Sequence, residues 1–189
     1  MKENQLKITI NFDSQNRLKF YFTSGKQRCS FYAIFHWETG ILDDFLNQFV
    51  LYFTNYEHLK IEDKFYWSSS TFTGYYVEQK LDLNHMLKLR IRKSKEYIDL
   101  RSNRKIIFKT QLNVNDFIKI VVDAYGVFLQ KYGFTFIGKH YGSDKFPLDA
   151  FLKLKNYLFH NYEKQTYHSS ILDESISFAK ELEILASIV

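Results

Sequence analysis

The residues best able to do chemistry are few. Six histidines (His36, His58, His85, His140, His160 and His168) and one cysteine, Cys29, are the available soft ligands and strong nucleophiles. Structural zinc sites draw on such ligands at short, regular spacings. No histidine here forms H-x-H or H-E-x-x-H, and one cysteine cannot build an intrachain Cys/His cluster. No metal and no cofactor are therefore expected. Cys29 lies in the apolar run CSFYAIFHW and reads as a small buried residue rather than a reactive thiolate. The chain lacks G-x-S-x-G, G-x-x-x-x-G-K-[ST] and G-x-G-x-x-G, and GKHYGSDK (138–145) reads as an ordinary loop. The adjacent carboxylates Asp43–Asp44 and Asp173–Glu174 fall at helix starts. Neighbouring side chains diverge on a helix, so compensation of the helix dipole explains both pairs without catalysis. No catalytic residue is expected.

A different chemistry is written in LKLRIRKS (87–94), where Leu87, Leu89 and Ile91 alternate with Lys88, Arg90 and Arg92, and Lys93 follows. Such alternation marks a strand with one dry and one wet face. From Met86 to Lys109 nine cations, Arg101 and Arg104 among them, face only Glu96 and Asp99. That segment carries +7 of a chain whose net charge is +5, so the remainder is slightly acidic. Lys88, Arg90, Arg92, Lys93, Arg101 and Arg104 are the candidate partner-binding residues. A solvated face, with lysines discouraging edge-to-edge pairing, is the simplest reading. An acidic protein partner is the second, and nucleic acid the third. Sheets that bind nucleic acid interleave cations with exposed aromatics, and the polar face of 87–93 has none.

These residues need elements to hold them. LKITINF (6–12) and RLKFYFT (17–23), joined by a polar turn at 13–16, predict a β-hairpin, and CSFYAIFHW (29–37) a third strand. The period then changes to helical over GILDDFLNQFVLYFTNY. From Ile61 to Leu112, KFYW, STFTGYYVEQKL, MLKLRIRK and RKIIFKTQL are candidate strands, with EYIDL a possible short one. Beyond Asn113 the spacing is helical again, with Asn113 and Asp116 as an N-cap-like pair. Phe117, Ile118, Val121, Tyr125, Phe128, Leu129 and Tyr132 form its apolar stripe, and Gly133 its stop. After the loop FTFIGKHYGSDKF, Pro147 opens a helix with the stripe Phe151, Leu154, Leu158 and Tyr162. A last helix should turn Phe178, Leu182, Leu185 and Val189 inward and Glu181 and Glu183 outward.

The expected fold class is therefore α+β, a largely antiparallel sheet of about six to eight strands. One inserted helix lies near 41–56, and C-terminal helices lie near 114–132, 147–162 and 172–188. Residues 1–189 read as a single domain, in which the sheet-bearing region, residues 1–133, is followed by a helical extension over 134–189. Aromatics make up 19% of the chain, enough for a large core. MKENQLKITINF has no apolar signal segment and no run approaches the ~20 residues of a membrane span. With a lone cysteine, this predicts a cytoplasmic protein without membrane contact.

The order of elements bears on function. FHWETGILDDFLNQF, KFYWSSSTFTGYYVEQ, LKLRIRKS and IIFKTQLNVNDFIKIVVDAYGVFLQKYG follow one another as in the WapI-type immunity proteins of bacterial polymorphic toxin systems, which the chain resembles over about residues 6–133. The resemblance rests on pattern and a few aromatics and stops before Phe134. It implies a non-enzymatic protein that binds and neutralises a cognate toxin domain, and it transfers no functional residue. Immunity proteins against cationic nucleases are often acidic, so this basic segment predicts a partner with an acidic face. A nucleic-acid-binding module using residues 86–109 is the first alternative. An enzyme with an unrecognised site is the second, which a pocket where His140, Tyr141 and carboxylates converge would support.

Overall fold

The alternating segments at the N-terminus build a hairpin and then a sheet. The computed structural model describes residues 5–32, 75–81, 86–93, 105–140, 147–161 and 178–187. Within them, β1 (Leu6–Phe12) pairs antiparallel with β2 (Leu18–Ser24), and β2 with β3 (Gln27–Tyr32). The first turn is held by Asp13. Its Oδ1 accepts the backbone N–H groups of Gln15 at 2.8 Å and Arg17 at 2.9 Å, while its Oδ2 receives the Arg17 guanidinium at 2.8 Å. Asn16 takes the left-handed conformation (φ 56°) that asparagine tolerates. The second turn needs only Gly25 and Lys26, with Gly25 at φ 57° as a two-residue hairpin loop demands. The third strand thus begins at Gln27, two residues before the expected run.

A second antiparallel sheet has the order β4 (Tyr75–Leu81), β5 (Met86–Lys93), β6 (Lys105–Asn113). Its register shifts between Ile91, opposite Phe108, and Arg92, opposite Ile106. Ile107 is the extra residue of this bulge, and it packs against the core. The fold class is α+β and every strand pairing is antiparallel, but the six described strands form two three-stranded sheets where one was expected. Between the described edge strands β3 and β6, the Lys109 N–H donates to Gln27 Oε1 at 3.0 Å. A glutamine amide bonding a strand N–H does not extend a ladder, so the described strands pair as two sheets.

Helix α1 (Val114–His140) follows β6 without a loop. Asn113 caps it, its Oδ1 accepting the Asn115 N–H at 2.8 Å. All seven residues of the expected stripe are buried or, for Tyr132, partly buried against the core. Gly133 interrupts the helix at φ 70°, ψ 162°, a conformation essentially restricted to glycine. The chain then resumes helix to His140, so the loop expected from Phe134 is corrected to helix over 134–140. Packing recovers that turn. Phe136 stacks on Tyr132 (centroids 5.3 Å apart) and meets Phe12 edge-on at 5.5 Å, while Ile137 is fully buried.

Helix α2 (Leu148–Asn161) buries Ala150, Phe151, Leu154 and Tyr157. Its Tyr157 hydroxyl donates to the buried Asn115 Oδ1 at 2.8 Å and so ties α2 to the first turn of α1. Helix α3 (Phe178–Ala186) buries Ile184 and leaves Leu182 50% exposed, which corrects the expected inward stripe. The sequence there offers apolar residues on two adjacent faces, and packing selects the one through Ile184. The expected helix at 41–56, the candidate strands KFYW and EYIDL, and Tyr162 and Val189 lie outside the described residues. One core joins the inner faces of both sheets to α1 and α2.

Removing either of two polar anchors should be measurable. Tyr157→Phe leaves the Asn115 carbonyl buried without that donor, and should cost about 1–3 kcal/mol in urea unfolding. The Asp13 carboxyl is held down at about 2, chiefly by the Arg17 N–H, with the Arg17 guanidinium and Gln15 N–H prevailing over its partial desolvation. Its stabilisation is complete above the ordinary value of 3.8 and disappears as pH falls through about 2. Asp13→Ala should therefore lower Tm at pH 7, and the variant and parent Tm values should converge as pH approaches 2.

Candidate functional site

Because each sheet turns one face to the core, the chemistry left to it is on the other. In the second sheet Leu87, Leu89 and Ile91 are fully buried beneath β5. The intervening Lys88, Arg90 and Arg92 take the opposite face, with Arg90 exposed and Lys88 and Arg92 half-buried, and Lys93 is exposed at the strand end. Four of the six expected residues are thus brought together on one strand. Arg101 and Arg104 lie outside the described residues.

The pairing adds cations that the linear sequence does not place. On the outer face Arg90 stands directly opposite Lys109, while Lys93 stands opposite Lys105 at the strand end on the side of Leu89 and Ile91, and all four are exposed. On the other side, Lys88 is in register with Lys80, and Arg90 with Glu78. The three strands carry seven cations against the single carboxylate Glu78. Among the described residues, Lys88, Arg90, Lys105 and Lys109 make no ion pair. Directly opposed like charges destabilise a sheet. Among the described residues, the Arg90–Lys109 opposition therefore has only Glu78, in register on the other side of Arg90, placed to offset it, whereas elsewhere a lysine meets a carboxylate directly, as in Lys119–Asp123 at 2.6 Å.

The first sheet carries a second face that the sequence reading misses. Its outward rows are Asn11–Lys19–Tyr32, Thr9–Tyr21–Ser30 and Lys7–Thr23–Arg28. Lys19 Nζ lies 5.0 Å from the Tyr21 ring centroid and 4.9 Å from that of Tyr32, and the Arg17 guanidinium lies 4.3 Å from Tyr32. Desolvation, acting to lower the Lys19 pKa, is outweighed by Tyr21 and Tyr32, and the ammonium is held above the ordinary lysine value. The signal is present in LKFYFTS. Leu18, Phe20 and Phe22 define the core side, and the alternate set Lys19, Tyr21 and Thr23 defines the outer one.

Cys29 packs on the core side of this sheet, and burial pushes its thiol up to about 12. It is a protonated packing residue at neutral pH. A groove of about 1130 Å³ runs beside β6 and α1, lined in part by Gln27, Lys109, Gln111, Asp116, Lys119 and Asp123. Its charges are mixed, and no histidine lines it. Among the described residues, no three His, Cys, Asp or Glu side chains come close enough to hold a metal ion, and no helix is long and apolar enough to cross a membrane. The His140 side chain and Tyr141 lie outside the described residues. Compared with protein families, curated proteins and solved structures, the chain matches none.

Proposed function

We propose that this is a non-enzymatic binding protein that neutralises a cognate bacterial toxin domain in the cytoplasm. It would do so by setting the cationic face of β5 and β6 against an acidic surface of that partner. The observation that carries the reading is the opposition of Arg90 to Lys109 on the outer sheet face that Lys88 and Arg92 share. In the free protein that opposition costs stability. Carboxylates of a partner turn the same pair into an attraction, steer its approach and select against cationic competitors. The immunity-type resemblance supplies the kind of partner, and the charge supplies its chemistry. Arg90 and Arg92 offer guanidinium groups suited to interface anchors. The rival in which this face tracks phosphates is less well supported, because no exposed aromatic accompanies the cations of β5 and β6 beyond the register position of Tyr76 beside Arg92.

Lys109→Glu separates binding from folding, since it places a carboxylate opposite Arg90. The variant should be as stable as the parent or more so, by about 0.2–1 kcal/mol for the new cross-strand pair. Its association with a toxin domain that co-purifies with the parent protein should slow at least about tenfold at low salt, with a flatter salt dependence. Cells producing that toxin should then lose protection. An unchanged on-rate removes this face from the interface.

A further inference from the structure

The outer face of the first sheet is not used by the function proposed above. It has what the β5–β6 face lacks, namely aromatic rings among cations. We propose that it is a binding site for single-stranded nucleic acid, with Tyr21 stacking on a base and Lys19, Lys7 and Arg28 contacting the flanking phosphates.

Tyr21 is central in this face and 36% exposed. Its row neighbours are Thr9 and Ser30, both short, so the ring stands above the backbone on either side. A shallow depression of about 490 Å³, lined by Tyr21, Thr23, Gly25, Arg28 and Ser30 among others, lies next to it. That is room for a nucleobase and its sugar beside the ring. Same-face residues on a strand are about 6.6–6.8 Å apart, so Lys19 lies one step from Tyr21 along β2. Lys7 and Arg28 lie one row away on the other side of Tyr21, flanking Thr23. The strands β1 to β3 contain no Asp or Glu, so nothing on them repels a phosphate. The nearby carboxylate of Asp13 is neutralised by Arg17.

The cation–ring contacts favour the same ligand. An ammonium over a ring at a half-exposed surface position such as Lys19 is weakly held, whereas a charge-assisted bond to phosphate is strong. A phosphodiester can draw Lys19 off the Tyr21 ring and free that ring face for a base, so one ligand satisfies both groups. An acidic peptide offers the charge but no planar group for the ring. A duplex offers phosphates while its bases remain stacked on each other, out of reach of a flat sheet. Single strands present both.

The test is fluorescence anisotropy with the full chain and a labelled oligothymidine of about 12 nucleotides, within the site sizes known for single-strand binders. The matching duplex and a poly-glutamate peptide serve as comparisons. The single strand should bind most tightly of the three. Tyr21→Ala should weaken it about tenfold with little change in salt slope, and Arg28→Ala should reduce the slope by about one ion. Circular dichroism checks the fold of each variant, and Arg28, exposed on the edge strand β3, provides the variant least able to disturb the core. Equal binding of poly-glutamate, or preference for the duplex, overturns the proposal. So does loss of binding in Lys109→Glu with Tyr21→Ala unaffected, since that assigns the polyanion to the other sheet.

Discussion

One helix has to cover two sheets, and the rest of the protein follows from that constraint. Each three-stranded sheet turns one apolar face inward, and another element has to cover it. α1 lies against both. Phe128 and Tyr132 pack on Phe12 at the end of β1, with centroids 5.4 and 5.0 Å away, and Val114, Phe117, Ile118 and Val121 join the same core as Leu87, Leu89, Ile91 and Phe108. Polar bonds fix the placement at both ends. The Tyr132 hydroxyl accepts the Phe12 N–H at 3.1 Å, and Tyr157 secures Asn115 at the first turn. The break at Gly133 keeps the final turn over β1.

With the inner faces packed in the core, the outer faces are what the sheets can offer to other molecules, and both are cationic. They differ in kind. The β5–β6 face sets cation against cation in register and suits a partner that brings its own carboxylates. The β1–β3 face spaces its cations around two tyrosine rings and suits a ligand that brings planar groups with its negative charge. Both lie on strands whose opposite sides are in the core, so their charges are held in a fixed pattern. Fixed charge is more useful for recognition than the same charge on a loop, because less ordering entropy is lost on binding.

The fold is legible in the sequence wherever one local rule decides the outcome. Alternation at 6–12, 18–24 and 87–92 assigns strands and their buried sides, and the stripe from Phe117 to Tyr132 assigns the face of α1. What is not legible depends on contacts between distant residues. Whether six strands make one sheet or two turns on how the β3 and β6 edges meet, and a glutamine side chain has no periodic signature. Gly133 reads correctly as a break. The helix beyond it depends on Phe136 reaching Phe12, more than a hundred residues away in sequence. The candidate site divides the same way. Lys88, Arg90 and Arg92 share a face by alternation alone, whereas the Arg90–Lys109 opposition needs the register, which a bulge at Ile107 shifts. The tyrosine-bearing face escapes a reading for core residues because Lys19, Tyr21 and Thr23 occupy the polar half of their strand.

The central claim is that α1 makes the two sheets one cooperative unit. It is tested most directly by hydrogen exchange on Phe128→Ala, a substitution at the β1 end of the helix. Removing so large a buried ring should cost about 3–5 kcal/mol. If the helix couples the sheets, the amides of β5 lose protection by the same free energy as those of β1 and β2. If protection falls in β1 and β2 while Leu87, Leu89 and Ile91 exchange as slowly as before, the sheets are independent and α1 does not couple them.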